Sequence, residues 1–474
     1  MAESKQNLLA RIPAVDLLLH DAAAEDWAVE APRRILVDSI RRAVEQTRQR
    51  LLQSADEMHD TSEDTLRQAI LSEAKQHLRA ALRPGYRKVI NATGIILHTA
   101  LGRAPLPRQA IHQIATELSG YSLLQADPAT GQRSRRDQRI EELLHELTGA
   151  EAATVVNNNA AATAIVLNTV AAGREVIVSR GQLVEIGGSF RLPDVMAAAG
   201  VKLVEVGTTN KTHLRDYERA INENTAAILR VHPSNYKIVG FTAETPLQEL
   251  VALAHRRSLT VIDDVGAGPL VDFSQFGFQP EPTLAESVAA GADLITCSAD
   301  KMIGGPQGGI VLGQTRWIEA IRRNPLARIV RVDKLTLAAL EATLLLFLDQ
   351  TRALAEVPTL RMLCRSLAEI DSQADRIATA AASGLPGITA TVIDGFSEMG
   401  SGSLPAQELP TRLVAIETVG VEAGEVARRL RLAETPVFAR VHRGQLLLDP
   451  RTLLDGDEEI LIAVLRTAVA VESD

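Results

Sequence analysis

The chain has 474 residues, 46% hydrophobic and 23% charged, the balance of an ordinary globular protein with room for two or three domains. A formal net charge of −9 excludes a generally basic nucleic-acid binder, though not a local basic patch. Two cysteines, Cys297 and Cys364, exclude a disulfide framework and suit a reducing cytoplasm, and no apolar run reaches the length of a membrane span.

In chain order, residues 1–85 read as a helical domain. Leu8, Leu9, Ile12, Val15 and Leu17–Leu19 have helical spacing, and 34–53 and 63–83 are longer amphipathic segments. Between them, 54–62 reads as a turn ending in a plausible N-cap before Glu63 and Asp64. Arg33, Arg34, Arg41, Arg42, Arg48 and Arg50 crowd one helix, broken only by Asp38 and Glu45. A solvated helix face is the plainer reading of that cluster. A phosphate-contacting face is the alternative, because guanidinium forks match phosphate oxygens. Pro84-Gly85 breaks the chain and marks a domain boundary.

From 86 to 333 helical and apolar segments alternate. Helices are expected at 108–119 and 135–148, and strands at 153–156, 175–179, 201–206, 226–231, 259–263 and 293–296. Strands separated by helices predict an α/β domain with a mostly parallel sheet covered on both faces. The remaining residues, 334–474, predict two long helices, 334–357 and 362–383, followed by a small α+β domain.

Ligands of such sheets bind at the carboxyl ends of the strands, and there the chain carries distinctive residues. Asn157-Asn158-Asn159 opens a helix, whose N-terminus favours an anion. His232-Pro233-Ser234-Asn235 follows another strand, and Asp263-Asp264 ends a third. Ser298-Ala-Asp300-Lys301 follows the last strand and leads into a glycine-rich turn. Lys301 has two readings here. It is either a loop lysine balancing Asp300 or a desolvated amine of lowered pKa that attacks an aldehyde. Arg103, between Gly102 and Ala104, is either exposed or aimed into a cleft.

The order and spacing of Asn235, Asp264, Ser298 and Lys301 resemble those of fold-type-I pyridoxal-phosphate (PLP) enzymes. Longer motifs narrow the resemblance. Ile90-Asn-Ala-Thr-Gly-Ile-Ile-Leu-His-Thr-Ala-Leu-Gly-Arg103, Ser179–Arg191, Gly207-Thr-Thr-Asn-Lys-Thr-His213 and Ser298-Ala-Asp-Lys-Met-Ile-Gly-Gly-Pro-Gln307 are similar to the bacterial selenocysteine synthases, the L-seryl-tRNA(Sec) selenium transferases. The similarity runs over essentially the whole chain. One position departs from the pattern: Ala100 stands where the motif usually has Asn.

The resemblance implies a cytoplasmic enzyme that converts seryl-tRNA(Sec) to selenocysteinyl-tRNA(Sec) with selenophosphate, through a PLP-bound aminoacryloyl intermediate. By the same resemblance Lys301 would carry PLP, and Asp264, Asn235, Ser298, Asn158 and Asn159 would bind it. Asp300 would be the essential acid. Arg103, Arg328 and Arg331 would hold the selenophosphate anion, with no metal. Residues 1–85 would bind tRNA, with Arg41, Arg42 and Arg48 as the candidate contact surface. The assembly would be a homodecamer, a pentamer of dimers. Two other readings share this core: a lyase of a small amino-sugar acid, and a tRNA-binding assembly protein with a vestigial PLP site. The helical segment 1–85 and the three arginines point away from the first. Intact Lys301, Asp264 and Ser298 point away from the second.

Overall fold

The structure, a computed structural model, describes residues 9–21, 27, 31–53, 62–188, 190–233, 235–383, 387–403 and 407–469. Apart from Ser62, the turn expected at 54–62 lies outside the described residues. The chain divides into two compact units, 1–88 and 89–474.

In the first unit, described helices run Val15–Leu19, Arg33–Gln53 and Glu63–Leu82. The second of these buries Leu36, Ile40, Ala43, Val44 and Leu51, a stripe at helical period. The stripe packs with Leu18, Trp27, Ile70, Ala74 and Leu78 into a small core. Ser62 caps the third helix by accepting the Thr65 N–H at 3.2 Å, as its position before Glu63 and Asp64 predicts.

In the second unit the strands are β1 (Ile90–Asn91), β2 (Ala152–Val156), β3 (Glu175–Ser179), β4 (Glu185–Ile186), β5 (Phe190–Arg191), β6 (Lys202–Val206), β7 (Thr225–Val231), β8 (Thr260–Gly266), β9 (Leu294–Ser298), β10 (Gly309–Gly313), β11 (Ile388–Ser397), β12 (Leu409–Thr418), β13 (Val437–Phe438), β14 (Arg440–His442) and β15 (Gln445–Leu448). Seven of them form the central sheet in the order β2-β10-β9-β8-β7-β3-β6. Only β10 runs against its neighbours, so the sheet is mostly parallel, as the strand–helix alternation predicts. All of them except the edge strand β6 bury both faces. Ile177, Ile228, Val261 and Ile295 enter one core, and Val176, Leu229, Ile262 and Leu294 the other. That is why the strands read as unbroken apolar runs.

Two expectations change. The glycine-rich stretch after Lys301 is a turn as far as Gly308, but Gly309–Gly313 then forms β10, a strand not among those expected from the sequence. A Cβ at Gly309 would lie 2.1 Å from the Asn158 carbonyl oxygen, and one at Gly313 would lie 2.2 Å from that of Asp293. The glycines therefore allow a close strand crossing rather than only chain reversal. The two long helices expected at 334–357 and 362–383 are four: Lys334–Phe347, Gln350–Glu356, Pro358–Cys364 and Leu367–Ala382. Asp349 accepts the Thr351 and Arg352 N–H groups, Pro358 opens its helix, and Ser366 forms a capping box with Glu369. Caps inside an apolar run outweigh its continuity.

A smaller antiparallel sheet, β11-β12-β15-β14, completes the unit. The segment leading to Arg103 is laced to the residues that follow β11. Leu97 N–H donates to the Met399 carbonyl at 2.7 Å, and Ser401 Oγ donates to the Leu97 carbonyl at 2.5 Å. Gly94 packs directly on the buried carboxylate of Asp449.

Candidate active site

The site is built where β8 and β9 end side by side, with Asp264 in register with Thr296. Asp264 is buried. Asn159 Nδ2 donates to its Oδ1 at 2.9 Å, Thr163 Oγ1 to its Oδ2 at 3.0 Å, and the Gly266 N–H to Oδ1 at 3.1 Å. Burial raises its pKa, and these donors oppose the rise.

Lys301 follows β9 and is only 5% exposed. Burial, helped by the Arg103 charge, holds its pKa below the usual lysine value, against the pull of Asp264, Asp300 and Glu281. A buried amine pushed toward its neutral form, with a buried carboxylate on the next strand, is a nucleophile paired with a fixed anion. Asp300, also buried, pairs with Arg103 at 2.8 Å. Arg103 adopts a left-handed backbone, φ 61°, directly after Gly102 at φ 93°, and its N–H donates to the His98 carbonyl at 3.0 Å. This turn, unusual for a non-glycine residue, directs the guanidinium inward.

The helix Asn159–Ala171 begins at the same sheet edge. Asn158 Oδ1 caps it by accepting the Ala161 N–H at 2.9 Å, while Asn159 reaches Asp264. Ser298 is buried at the end of β9. Asn235 lies on the loop after β7, and among the described residues it is not bonded to Lys301, Asp264 or Ser298. It is exposed, and its Nδ2 donates to the Glu185 carbonyl at 2.8 Å. Beside the strand ends lies a cavity of about 230 Å³ lined by Ser179, Thr209, Lys211, His232, Tyr236 and Glu281. Burial and the Arg230 charge push His232 down to about 4, with Asp263 opposing.

Sequence reasoning missed Glu281 and Arg136. Glu281 is a buried acid that lines the cavity and acts electrostatically on Lys301. Its place between Pro280 and Pro282 is the one local sign of a rigid loop. Arg328 and Arg331 are exposed, and among the described residues neither is ion-paired nor bonded to the Lys301 group. They lie instead in electrostatic reach of Arg136, on which Arg133 also acts. In the first unit Arg41, Arg42 and Arg48 all face solvent. Arg48 pairs with Glu45 at 3.2 Å, whereas Arg41 and Arg42 have no ion pair among the described residues. No group of side chains suited to a metal occurs among the described residues.

The residues fit PLP. Lys301 offers a desolvated amine, Asp264 a buried carboxylate for a protonated ring nitrogen, and Asn159 Oδ1 is a buried acceptor without a partner among the described residues. Fold and site together define a fold-type-I pyridoxal-phosphate enzyme, with PLP as cofactor.

Comparison with known proteins narrows the class. A family model for L-seryl-tRNA selenium transferase matches residues 89–454, and one for the selenocysteine synthase N terminus matches 9–48. The L-seryl-tRNA(Sec) selenium transferase of Geobacter sulfurreducens is 44% identical over 460 residues, covering 97% of this chain and 99% of its own. That of Geobacter metallireducens is 46% identical over 459 residues, covering 97% and 98%. Among solved structures, D-glucosaminate-6-phosphate ammonia-lyase superposes with TM-score 0.56 at 22% identity, over 83% of this chain and 98% of that one, a likeness of fold alone. The chain belongs to the L-seryl-tRNA selenium transferase family.

Proposed function

We propose that the enzyme replaces the β-hydroxyl of serine esterified to tRNA(Sec) with selenium drawn from selenophosphate. The observation that carries this reading is the buried Lys301 facing buried Asp264 across adjacent strand ends, in a chain that matches the transferase family from end to end. When bound, PLP supplies an electron sink for negative charge at the substrate α-carbon. The chain's residues do the rest. Asp264 holds a proton on the ring nitrogen, and Asn159, Thr163 and the Gly266 N–H keep that carboxylate aimed. Lys301 Nζ would hold the cofactor, and its amine would move the proton at the α-carbon, a task suited to an amine of lowered pKa. Asp300 orients Arg103, whose remaining donors receive the donor's oxyanion. Ser298, Asn158 and the N–H groups of the helix it caps hold the cofactor phosphate. Asn235 assists from the loop after β7.

Arg328 and Arg331 complete the selenophosphate site. The assembly is a homodecamer of five dimers, and the exposure of both arginines leaves them open to a neighbouring subunit. Residues 1–85 dock the tRNA through Arg41, Arg42 and Arg48, which the exposure of all three supports. Among the described residues no helix is long and apolar enough to cross a membrane, which is compatible with work in the cytoplasm.

The test is to incubate purified protein and PLP with seryl-tRNA(Sec) and selenophosphate and to identify the amino acid on the tRNA. Selenocysteine is expected. Unchanged serine, with turnover of a small amino-sugar acid instead, would overturn the reading. For the docking face, charge reversal at Arg41, Arg42 and Arg48 should weaken tRNA binding and reduce its salt slope by about one per lost contact. An unmoved isotherm would remove that face from the account.

A further inference from the structure

The segment carrying Arg328 and Arg331 is not free-standing. Asn157 N–H donates to the Val330 carbonyl at 2.9 Å, and Arg331 bridges Val156 at the end of β2. Arg136 ties the same turn from the other side. Its Nη1 donates to the Val332 carbonyl at 3.1 Å and its Nη2 to Gln125 Oε1 at 2.7 Å. Gln125 immediately precedes a small loop closed by the Ala126–Arg133 bridge, and the end of this loop carries Arg133.

Four guanidiniums therefore share one place: Arg133, Arg136, Arg328 and Arg331. Among the described residues none of the four has a carboxylate partner, and the neutral acceptors of Arg136 cancel no charge. The acid that acts on Arg136, Asp137, is already bonded to Thr154 at 2.6 Å and to Arg322 at 3.3 Å. Arg136 registers the crowding, since burial and the charges of Arg331, Arg328 and Arg133 lower its pKa, with the Asp137 charge opposing them. Uncompensated like charges held together by backbone contacts are stabilised when an anion sits among them. The cluster adjoins Asn157, next in sequence to the cofactor-binding Asn158 and Asn159, so the anion would lie beside a catalytic sheet edge.

We propose that Arg133 and Arg136 complete, with Arg328 and Arg331, a site for a phosphate-type tetrahedral oxyanion. In it Arg136 is the positioning residue that holds the 330–332 turn. The proposal rests on the reading that Arg328 and Arg331 serve the selenium donor, and it adds two arginines and the device that aims them. The same chemistry would accept selenophosphate or a backbone phosphate of the tRNA.

The probe is inorganic phosphate, titrated calorimetrically into the full chain loaded with PLP. R136Q and R133Q should each weaken binding by ~10-fold or more, the effect of one lost charge-assisted contact. R136K should fall with R136Q, because one ammonium does not span both Val332 and Gln125. Full rescue by R136K overturns the positioning role. Kinetics separate the two sources. A higher KM for selenophosphate with kcat held marks the donor, whereas a shallower salt dependence of tRNA binding with that KM unmoved marks the RNA backbone. A folded R136Q, verified by its Tm, that leaves phosphate affinity, donor KM and salt slope all unchanged overturns the proposal. Failure of the underlying reading looks different: wild type would bind phosphate in an Arg136-dependent way and still make no selenocysteinyl-tRNA.

Discussion

Lys301 and Arg136 are both cations partly or wholly withdrawn from water, and their surroundings are opposites. Asp264, Asp300 and Glu281 act on Lys301, and of these Asp264 is bonded by three donors of its own and Asp300 is paired with Arg103. Around Arg136 stand three more arginines against the single acid Asp137, and its bonds go to neutral oxygens. The first group closes its own charges, so it is preorganised for a cofactor held by chemistry at one atom. The second leaves positive charge over, so its shape is completed by the anion that arrives. A desolvated, compensated amine serves catalysis, and an uncompensated fork of guanidiniums serves capture.

The sharpest way to break this comparison is at the closed group. Lys301→Ala should reduce selenocysteinyl-tRNA formation by at least ~10³-fold, since it removes the amine that moves the proton, and it should also abolish the cofactor's near-visible absorbance. A variant that keeps that absorbance would show that the cofactor is held elsewhere. Asp264→Ala should cost about 2–4 kcal/mol in urea unfolding, because the Asn159 amide and the Thr163 hydroxyl lose their buried acceptor. Asp264→Asn should recover much of that stability but little activity, separating the structural from the electronic role.

His232 tests whether the closed group tolerates a proton. Its folded pKa of about 4 lies below the ordinary 6.5. Between those values the unfolded chain binds a proton that the fold refuses. The stability that neutral His232 contributes is thus complete above pH 6.5 and declines as pH falls toward 4. The loss should be about 2–3 kcal/mol. His232→Gln should flatten that part of a stability–pH curve measured by urea midpoints at pH 7 and 4.5, and parallel curves would exclude the histidine as the cause. The smallest effect is expected at the rim, where Arg103 is a third exposed. A double-mutant cycle of Arg103→Ala and Asp300→Ala on kcat/KM should give a coupling of about 1 kcal/mol, and zero coupling would mean that the pair does not act as a unit.

Much of the closed group was legible in the primary structure. Asp264, Ser298 and Lys301 each stand where an apolar run turns polar, and in a parallel sheet those points are the carboxyl ends of buried strands. Ser62 declared its helix by the same local logic. The interior of the run 334–383 misled because leucine and alanine continuity says nothing of caps, and Asp349, Pro358 and Ser366 divide it. β10 was hidden because its end glycines answer to the Asn158 and Asp293 carbonyls, which only the fold brings near.

By itself, then, the sequence determined the strand–helix alternation, the identity of the strand-end residues and the motifs of the family. Each of these depends on neighbours a few positions away or on order along the chain. The tertiary structure alone decided that Asn159 serves Asp264, that the Glu281 charge acts on Lys301, and that Arg136 reaches a carbonyl 196 residues onward. Those are properties of contact and charge in space, and the low dielectric of a buried site makes them strong only once the chain has closed around them.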